Sequence, residues 1–280
     1  MIYIGLVVVG EQTIKDFKVF CKTLEVWEST VTLYIATDKE TEKSLFNIQT
    51  KNKIEIIYLP EEYNGKTRKE MENTIGKKYK TVWTDFMYEK ATVLEYIFNT
   101  KETPNGVWFM DADIAHFSKL PEIPLEAGLA LSPHYIRQID CDRYGKYNGG
   151  YFWMKNKEYL EKWREAGIGA RYFEQSALED IGKLAKEKNE LYEFPIQVNY
   201  GWWRMFQSNL SYTDIQAKFS FSRLDQDSTG IRYEGKQIYS VHTHWYDNTS
   251  VTGLFNQWII NYMTKFISHK PLQKVLRQLN

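Results

Sequence analysis

The sequence predicts an α/β fold with a mostly parallel central sheet flanked by helices. Three observations predict it. Short apolar runs alternate with stretches of helical period through the first half of the chain, which is the pattern of βαβ units. The chain has 280 residues, enough for one α/β unit with a small appendage. An amphipathic stripe near the C-terminus adds a terminal helix.

The elements follow in order. Met1 to Val9 reads as the first strand, closed by Gly10. It lacks the basic start and small-residue cleavage site of a secretory signal. Thr13 with Asp16 resembles a helix-starting box, and Ile14, Phe17, Phe20 (with Cys21) and Leu24 then recur at helical spacing. Val31 to Ala36 is a second strand. Ile54 to Leu59 is a third, stopped by Pro60. Residues 61–80 are highly charged, with Gly65 and Gly76, and are expected to form a solvated loop. Met87, Ala91, Leu94 and Phe98 mark a helix that feeds the strand Val107 to Met110.

The second half is less regular. Gly128 to Leu131 and Tyr151 to Met154 are short strands, residues 157–165 and 174–188 are helical, and Ile238 to His244 is a late strand. The C-terminal stripe runs Leu254, Phe255, Trp258, Ile259, Tyr262, Met263, Phe266 and Ile267. A basic tail with Lys270, Lys274 and Arg277 follows. The polar face of the stripe is not basic, so the helix is expected to dock on its own domain and not on a bilayer.

Composition excludes some functions. Basic and acidic residues balance at 36 each, so there is no electrostatic footprint for nucleic acid. No apolar run approaches the roughly 18 residues of a spanning helix. Cys21 and Cys141 are the only cysteines, which gives no disulfide framework. A soluble, cytoplasmic protein is the expectation. Aromatic residues make up 16% of the chain, which suits a core and also flat ligand faces.

Chemistry concentrates at Val107-Trp-Phe-Met-Asp111-Ala-Asp113. A buried strand runs straight into two aspartates. Residues two apart share a face of an extended chain, and two carboxylates on one face repel. A hard divalent cation removes that cost. His242 and His244 are again two apart on the late strand. Imidazole with carboxylates suits Mn²⁺, and Mg²⁺ to a lesser degree. His116, just past Asp113, is a weaker candidate. Asn148-Gly149-Gly150 precedes a strand and allows positive φ or close approach of a ligand. Glu174 and Gln175 begin a helix and offer acidic and amide groups. Lys90 sits on the helix before the aspartates. Trp202 and Trp203 offer a stacking platform or core packing.

Taken together, these segments resemble a glycosyltransferase of the GT-A fold, similar in layout to glycosyltransferase family 8 and its relatives. Phe109-Met110-Asp111-Ala112-Asp113 resembles the metal-binding Asp-X-Asp. Tyr147-Asn148-Gly149-Gly150-Tyr151-Phe152 is similar to the segment that lines the sugar and acceptor site. Glu174-Gln175-Ser176-Ala177-Leu178 resembles the segment whose side chains face the donor sugar, and Val241-His242-Thr243-His244 the strand that supplies a histidine ligand. Lys90 falls near the family's basic residue on the preceding helix. Two features depart from the pattern. The first strand ends Gly10-Glu11-Gln12-Thr13 in place of an Asp that reads uracil, and Trp245-Tyr246-Asp247 stands where a Gly-X-X-Lys-Pro-Trp segment usually follows.

The resemblance implies a metal-dependent, retaining transferase. It would move a sugar from a nucleotide-diphosphate donor, UDP ahead of GDP, to a glycan or other hydroxyl acceptor. Glu174 and Gln175 would be catalytic, and Lys90, Asp111, Asn148, Gly149 and Gly150 would bind donor or acceptor; Trp202 and Trp203, outside the matching segments, are a candidate acceptor platform by their aromatic faces. Asp111, Asp113, His242 and His244 would hold Mn²⁺ or Mg²⁺. The implied catalytic domain spans residues 1–246, with a donor half at 1–117 and an acceptor half at 118–246. Residues 247–280 form a helical appendage. The alternatives are a non-catalytic carbohydrate-binding module of the same fold and an Asp-X-Asp phosphatase. A phosphatase of that type opens on its Asp-X-Asp strand, and this chain does not. A sugar nucleotidyltransferase needs a Gly-rich basic loop after the first strand, and that loop is absent.

Overall fold

The computed structural model describes residues 1–222, 228–247 and 251–279. The strands in chain order are β1 (Ile2–Val7), β2 (Val31–Thr37), β3 (Lys53–Tyr58), β4 (Val107–Met110), β5 (Ile114–His116), β6 (Leu129–Pro133) and β7 (Tyr147–Met154). They continue with β8 (Leu191–Glu193), β9 (Tyr200–Gly201), β10 (Phe219–Phe221), β11 (Ile231–Tyr233), β12 (Lys236–Gln237) and β13 (Ser240–His242). The main sheet has the order β3-β2-β1-β4-β7-β6-β8. Every strand in it runs the same way except β7, which is antiparallel to both neighbours.

Helices cover both faces of this sheet, which is why β2 and β4 read as unbroken apolar runs and not as alternating ones. Helix Gly10–Trp27 packs Phe17, Phe20 and Leu24 against Ile4, Leu33, Trp108 and Met110. Helix Glu89–Thr100 packs Val93, Leu94 and Ile97 against Tyr34, Val107 and Phe109 on the other face. Gly5 allows that second approach, because a Cβ there would lie 2.8 Å from Val93 Cγ1.

The order reverses direction between β1 and β4. In such sheets the crevice beyond the carboxyl ends at the reversal is where ligands bind. The chain leaves β4 there, at Asp111. A small second sheet, β5-β13-β9, stands beside the crevice. Its central strand β13 is antiparallel to β5 and parallel to β9.

Several local expectations are corrected. The first helix starts at Gly10, with Val9 as its cap, and not at the Thr13–Asp16 box. Residues 61–80 are not one loop: a short turn, Glu61–Tyr63, is followed by helix Arg68–Glu72. That helix is held by a reciprocal Thr67–Glu70 capping box. The helix before β4 is two helices, Val82–Met87 and Glu89–Thr100, meeting at Tyr88. Asn148-Gly149-Gly150 lies inside β7 and not in a turn before it. The helix expected over 174–188 begins at Leu178. The late strand is confined to Ser240–His242, so His244 lies beyond it.

The C-terminal stripe docks on its own chain. Phe255, Ile259, Ile260 and Met263 of helix Val251–Phe266 join Ala115, Phe117 and Val241 in one buried cluster. Leu254, one residue before Phe255 and so about 100° round the helix, is 63% exposed. Leu254 and the 38%-exposed Phe266 therefore fall at the edge of the seam and not in it. The basic tail forms helix Lys270–Leu279 and buries Leu272 and Leu276 in the same cluster, which also contains Val19 of the first helix. Among the described residues, no helix is long and apolar enough to cross a membrane.

Candidate active site

Asp111 and Asp113 leave the carboxyl end of β4 and enter β5. The antiparallel register pairs His242 with Ile114, which places its ring beside Asp113. His242 Nε2 lies 2.9 Å from Asp113 Oδ1 and 3.7 Å from Asp111 Oδ2. One ligand atom from each of Asp111, Asp113 and His242 falls within 4.8 Å of the others. Burial alone would raise the Asp113 carboxyl, but the adjacent His242 ring outweighs it and holds Asp113 below the ordinary carboxylate range.

The donor set fits a divalent cation. It combines two hard carboxylates with one imidazole, the mixture that suits Mn²⁺. The space is cut for these side chains. A Cβ on Gly150 would collide with Asp111 Oδ2 and lie 2.5 Å from His242 Cε1. The same peptide accepts a 2.8 Å hydrogen bond from the Asp111 N–H. Gly149 is equally constrained, since a Cβ there would lie 2.8 Å from Glu174 Oε1. Neither glycine has positive φ. They are needed for close approach by this chain's own side chains, Glu174 at Gly149 and Asp111 with His242 at Gly150.

Lys90 and Glu174 form the second feature. Lys90 is buried, with Nζ 2.9 Å from Glu174 Oε1 and 3.3 Å from Asp111 Oδ1. It also donates to the Gly149 carbonyl at 3.0 Å. Burial pulls the ammonium down, but Asp111 and Glu174 outweigh it and hold Lys90 above its ordinary range. Burial pushes the Glu174 carboxyl up, opposed by Lys90. The short contact and the charged ammonium make this an ion pair. Glu174 is 3% exposed, so it faces Lys90 and not the open cleft as expected. Gln175 is similarly engaged. Its Oε1 accepts from Gly149 N at 3.1 Å and its Nε2 donates to the Tyr144 carbonyl at 2.9 Å.

The remaining expected residues divide. Asn148 lines the cleft and its Oδ1 accepts from Gly150 N. Trp203 lines the cleft and stands edge-on to His242, with ring centroids 4.9 Å apart. Trp202 is a core residue: it is 2% exposed and donates its indole N–H to Asn256 Oδ1 at 2.6 Å. Only part of it reaches the cleft wall. His244 lies outside the three-residue metal group. Its Nδ1 is 3.1 Å from Asp16 Oδ2, and that hydrogen bond raises the ring to about 9. His116 is in the core against Phe20, where burial pushes it down to about 3. It is not a ligand.

Sequence reasoning missed four residues. Asp16 is buried on the first helix, and accepts from Trp245 N as well as facing His244. Only its interruption of the apolar helix face hinted at a role. Asn199 is fully buried with Oδ1 3.0 Å from His242 Nδ1. Arg204 is buried and donates to the carbonyls of Pro133, His134 and Asn199. Arg68 stacks over Trp83, 4.9 Å from its ring centre, and both line the cleft. The cleft has a volume of about 790 Å³. Val7, Val9, Trp83, Phe86, Trp203 and Phe206 line it together with Lys90, Asp111, Asp113 and His242.

No protein-family model matches the chain, and no curated protein does. Solved structures do. The galactosyltransferase LgtC, determined with donor and acceptor sugar analogues, aligns with a TM-score of 0.53 at 12% identity, covering 100% of this chain and 96% of that one. Mouse xyloside xylosyltransferase 1, in its apo form, aligns with a TM-score of 0.48 at 10% identity, covering 86% of this chain and 97% of its own. The glycosyltransferase GlyE of Streptococcus pneumoniae aligns with a TM-score of 0.42 at 15% identity, covering 72% of this chain and 47% of its own. The likeness to LgtC is one of architecture, and the fold of this chain is that of the GT-A glycosyltransferases.

Proposed function

We propose that the protein is a divalent-metal-dependent glycosyltransferase that takes a sugar from a nucleotide-diphosphate donor, UDP or GDP, and passes it to a hydroxyl of a glycan. The observation that carries this reading is the Asp111–Asp113–His242 group, set at the crevice where the strand order reverses. Mn²⁺ or Mg²⁺ held there would neutralise the charge of a departing diphosphate. The other contributions come from the chain itself. Trp83, Phe86, Val7 and Val9 give an apolar wall for a base, and a cleft of about 790 Å³ has the size of a site for such a ligand. Lys90, at the cleft wall, balances the charges of Asp111 and Glu174.

Glu174 acts through Lys90, and Gln175 through Gly149, as positioning residues. Commitment of the Glu174 carboxylate to Lys90 favours retention over an inverting general base. Trp203 and Phe206 form the acceptor side. In this reading the donor half is residues 1–117, the acceptor half is 118–246, and residues 247–280 are a packing appendage. The test is turnover of UDP-, GDP- and dTDP-sugars with Mn²⁺ and with EDTA. The reading expects slow donor hydrolysis that EDTA abolishes. Sugar binding without turnover of any donor would favour the non-catalytic module, and cleavage of simple phosphomonoesters would favour a phosphatase.

A further inference from the structure

We infer that Asn199 is the positioning residue that decides which ring nitrogen of His242 faces the metal group. The inference rests on the metal reading above. It starts from a backbone N–H, which can only donate. Gly150 N donates to the Asn148 side chain at 3.0 Å, so the atom there is Oδ1. Asn199 meets that same oxygen at 2.9 Å, so it presents its Nδ2. The second hydrogen of this amide goes to Ser132 Oγ at 3.1 Å. The atom of Asn199 left to face His242 is Oδ1, 3.0 Å from Nδ1. A carbonyl oxygen only accepts, so Nδ1 carries the hydrogen. Nε2, 2.9 Å from the acceptor-only Asp113 Oδ1, faces that carboxylate as a donor while no cation is bound. It is the nitrogen whose hydrogen a cation would displace, leaving its lone pair for the metal and Nδ1–H for Asn199.

Asn199 is itself fixed. It is fully buried, at φ 55°, a left-handed conformation that asparagine tolerates better than most residues. Its N–H donates to Ser240 Oγ and its carbonyl accepts from Arg204, both at 3.0 Å. Trp203, edge-on to the ring at 88°, limits its swing. The backbone of Gly150 therefore bears on both residues: on Asp111 through its carbonyl, and on His242 through its N–H by way of Asn148 and Asn199. Partners of this kind on a ligating histidine fix its tautomer and raise its basicity.

The test is the Mn²⁺ dissociation constant, read by electron paramagnetic resonance of free Mn²⁺, for wild type, Asn199→Asp and Asn199→Leu. The aspartate substitution keeps an acceptor for Nδ1–H and, holding its proton in this buried place, a donor for Asn148 Oδ1, whereas the leucine substitution removes both. Asn199→Leu should weaken Mn²⁺ about 10–100-fold, and Asn199→Asp should stay within about threefold of wild type or bind tighter. If Asn199→Leu does not fold, Asn199→Gly replaces it, since glycine adopts this φ without strain. In ¹⁵N-histidine protein loaded with diamagnetic Cd²⁺, the His242 proton should sit on Nδ1 and exchange slowly, and that protection should vanish in the leucine variant. Unchanged affinity in Asn199→Leu, or equal weakening in the aspartate and leucine variants, overturns the inference alone. Failure of the wild type to bind Mn²⁺ overturns the metal reading and this inference with it.

Discussion

Replacing Lys90 by methionine should make stability depend steeply on pH. Methionine is close in volume, so the packing change is small. The electrostatic change is not. Lys90 and Glu174 have side-chain exposures of 5% and 3%, whereas Asp111 is 32% exposed and keeps contact with water. The uncompensated group in Lys90→Met is therefore Glu174. A buried carboxyl without its cation escapes by holding its proton, so its folded pKa climbs well above the ordinary 4.5. The folded state then binds more protons than the unfolded state, and stability falls as pH rises above the unfolded value. The cost is capped at about 1.4 kcal/mol per pH unit above that value. That gives roughly 5 kcal/mol at pH 8 and under about 1 kcal/mol at pH 5, in line with the ~3–5 kcal/mol for breaking a buried pair. Loss of the Lys90–Gly149 hydrogen bond adds about 1 kcal/mol at every pH. Urea unfolding at both pH values measures the gap. Lys90→Met with Glu174→Gln should lose the pH-dependent part. An equal gap at pH 5 and pH 8, or a double variant that behaves like the single one, would refute the reasoning.

Other outcomes follow from the same geometry. Gly150→Ala should weaken Mn²⁺ binding at least about tenfold and cost about 1–3 kcal/mol, because Asp111 and His242 must both move; calorimetric titration that finds wild-type affinity would contradict this. In the metal-free protein the His244 ring should titrate near 9 by NMR and drop toward its ordinary value in Asp16→Asn. Because the folded pKa of His244 lies above its unfolded one, the Asp16–His244 pair should contribute in full below about pH 6.5, until the Asp16 carboxyl, itself pushed up by burial, takes its proton in acid, and should fade as pH rises through about 9. Truncation after Tyr246 should abolish soluble expression. Phe255, Ile259, Ile260 and Met263 alone contribute roughly 6–12 kcal/mol at ~1.5–3 kcal/mol each, comparable with a whole domain's stability. A truncated chain with native circular dichroism would count against that packing.

The parts of the fold that read well from sequence are those whose signal is long or chemically unusual. β2 and β4 are runs buried on both faces and β1 is buried at its centre, which matches their apolar sequence, whereas β3 is a half-buried edge strand. Asp111, Asp113 and His242 were legible because two polar residues at spacing two are rare where a strand leaves a core. The small sheet was not legible. β5, β9 and β13 have three, two and three residues, too short for any periodicity to show. The expected late strand was therefore too long: His244 lies past its end, although its Nδ1 still reaches within 3.5 Å of Asp113 Oδ2. Helix Arg68–Glu72 did carry a signal, the Thr67-X-X-Glu70 box, hidden by the charge around it. Asn199 carried none. Its role comes from a left-handed backbone and three partners remote in sequence, Ser132, Asn148 and His242. Glu174 and Gln175 were found by segment order, but what they face is set by the ammonium of Lys90 and the Gly149 peptide.

The claim at the centre of the account is that Asp111, Asp113 and His242 make nucleotide-sugar recognition depend on a divalent cation. Isothermal titration of the wild type and Asp113→Asn with UDP- and GDP-sugars, with Mn²⁺ and with EDTA, tests it most directly. The account predicts binding of at least one donor by the wild type with Mn²⁺, loss of that binding in EDTA, and no binding by a folded Asp113→Asn. Donor binding that is equally tight in EDTA, or that survives in Asp113→Asn, would contradict it.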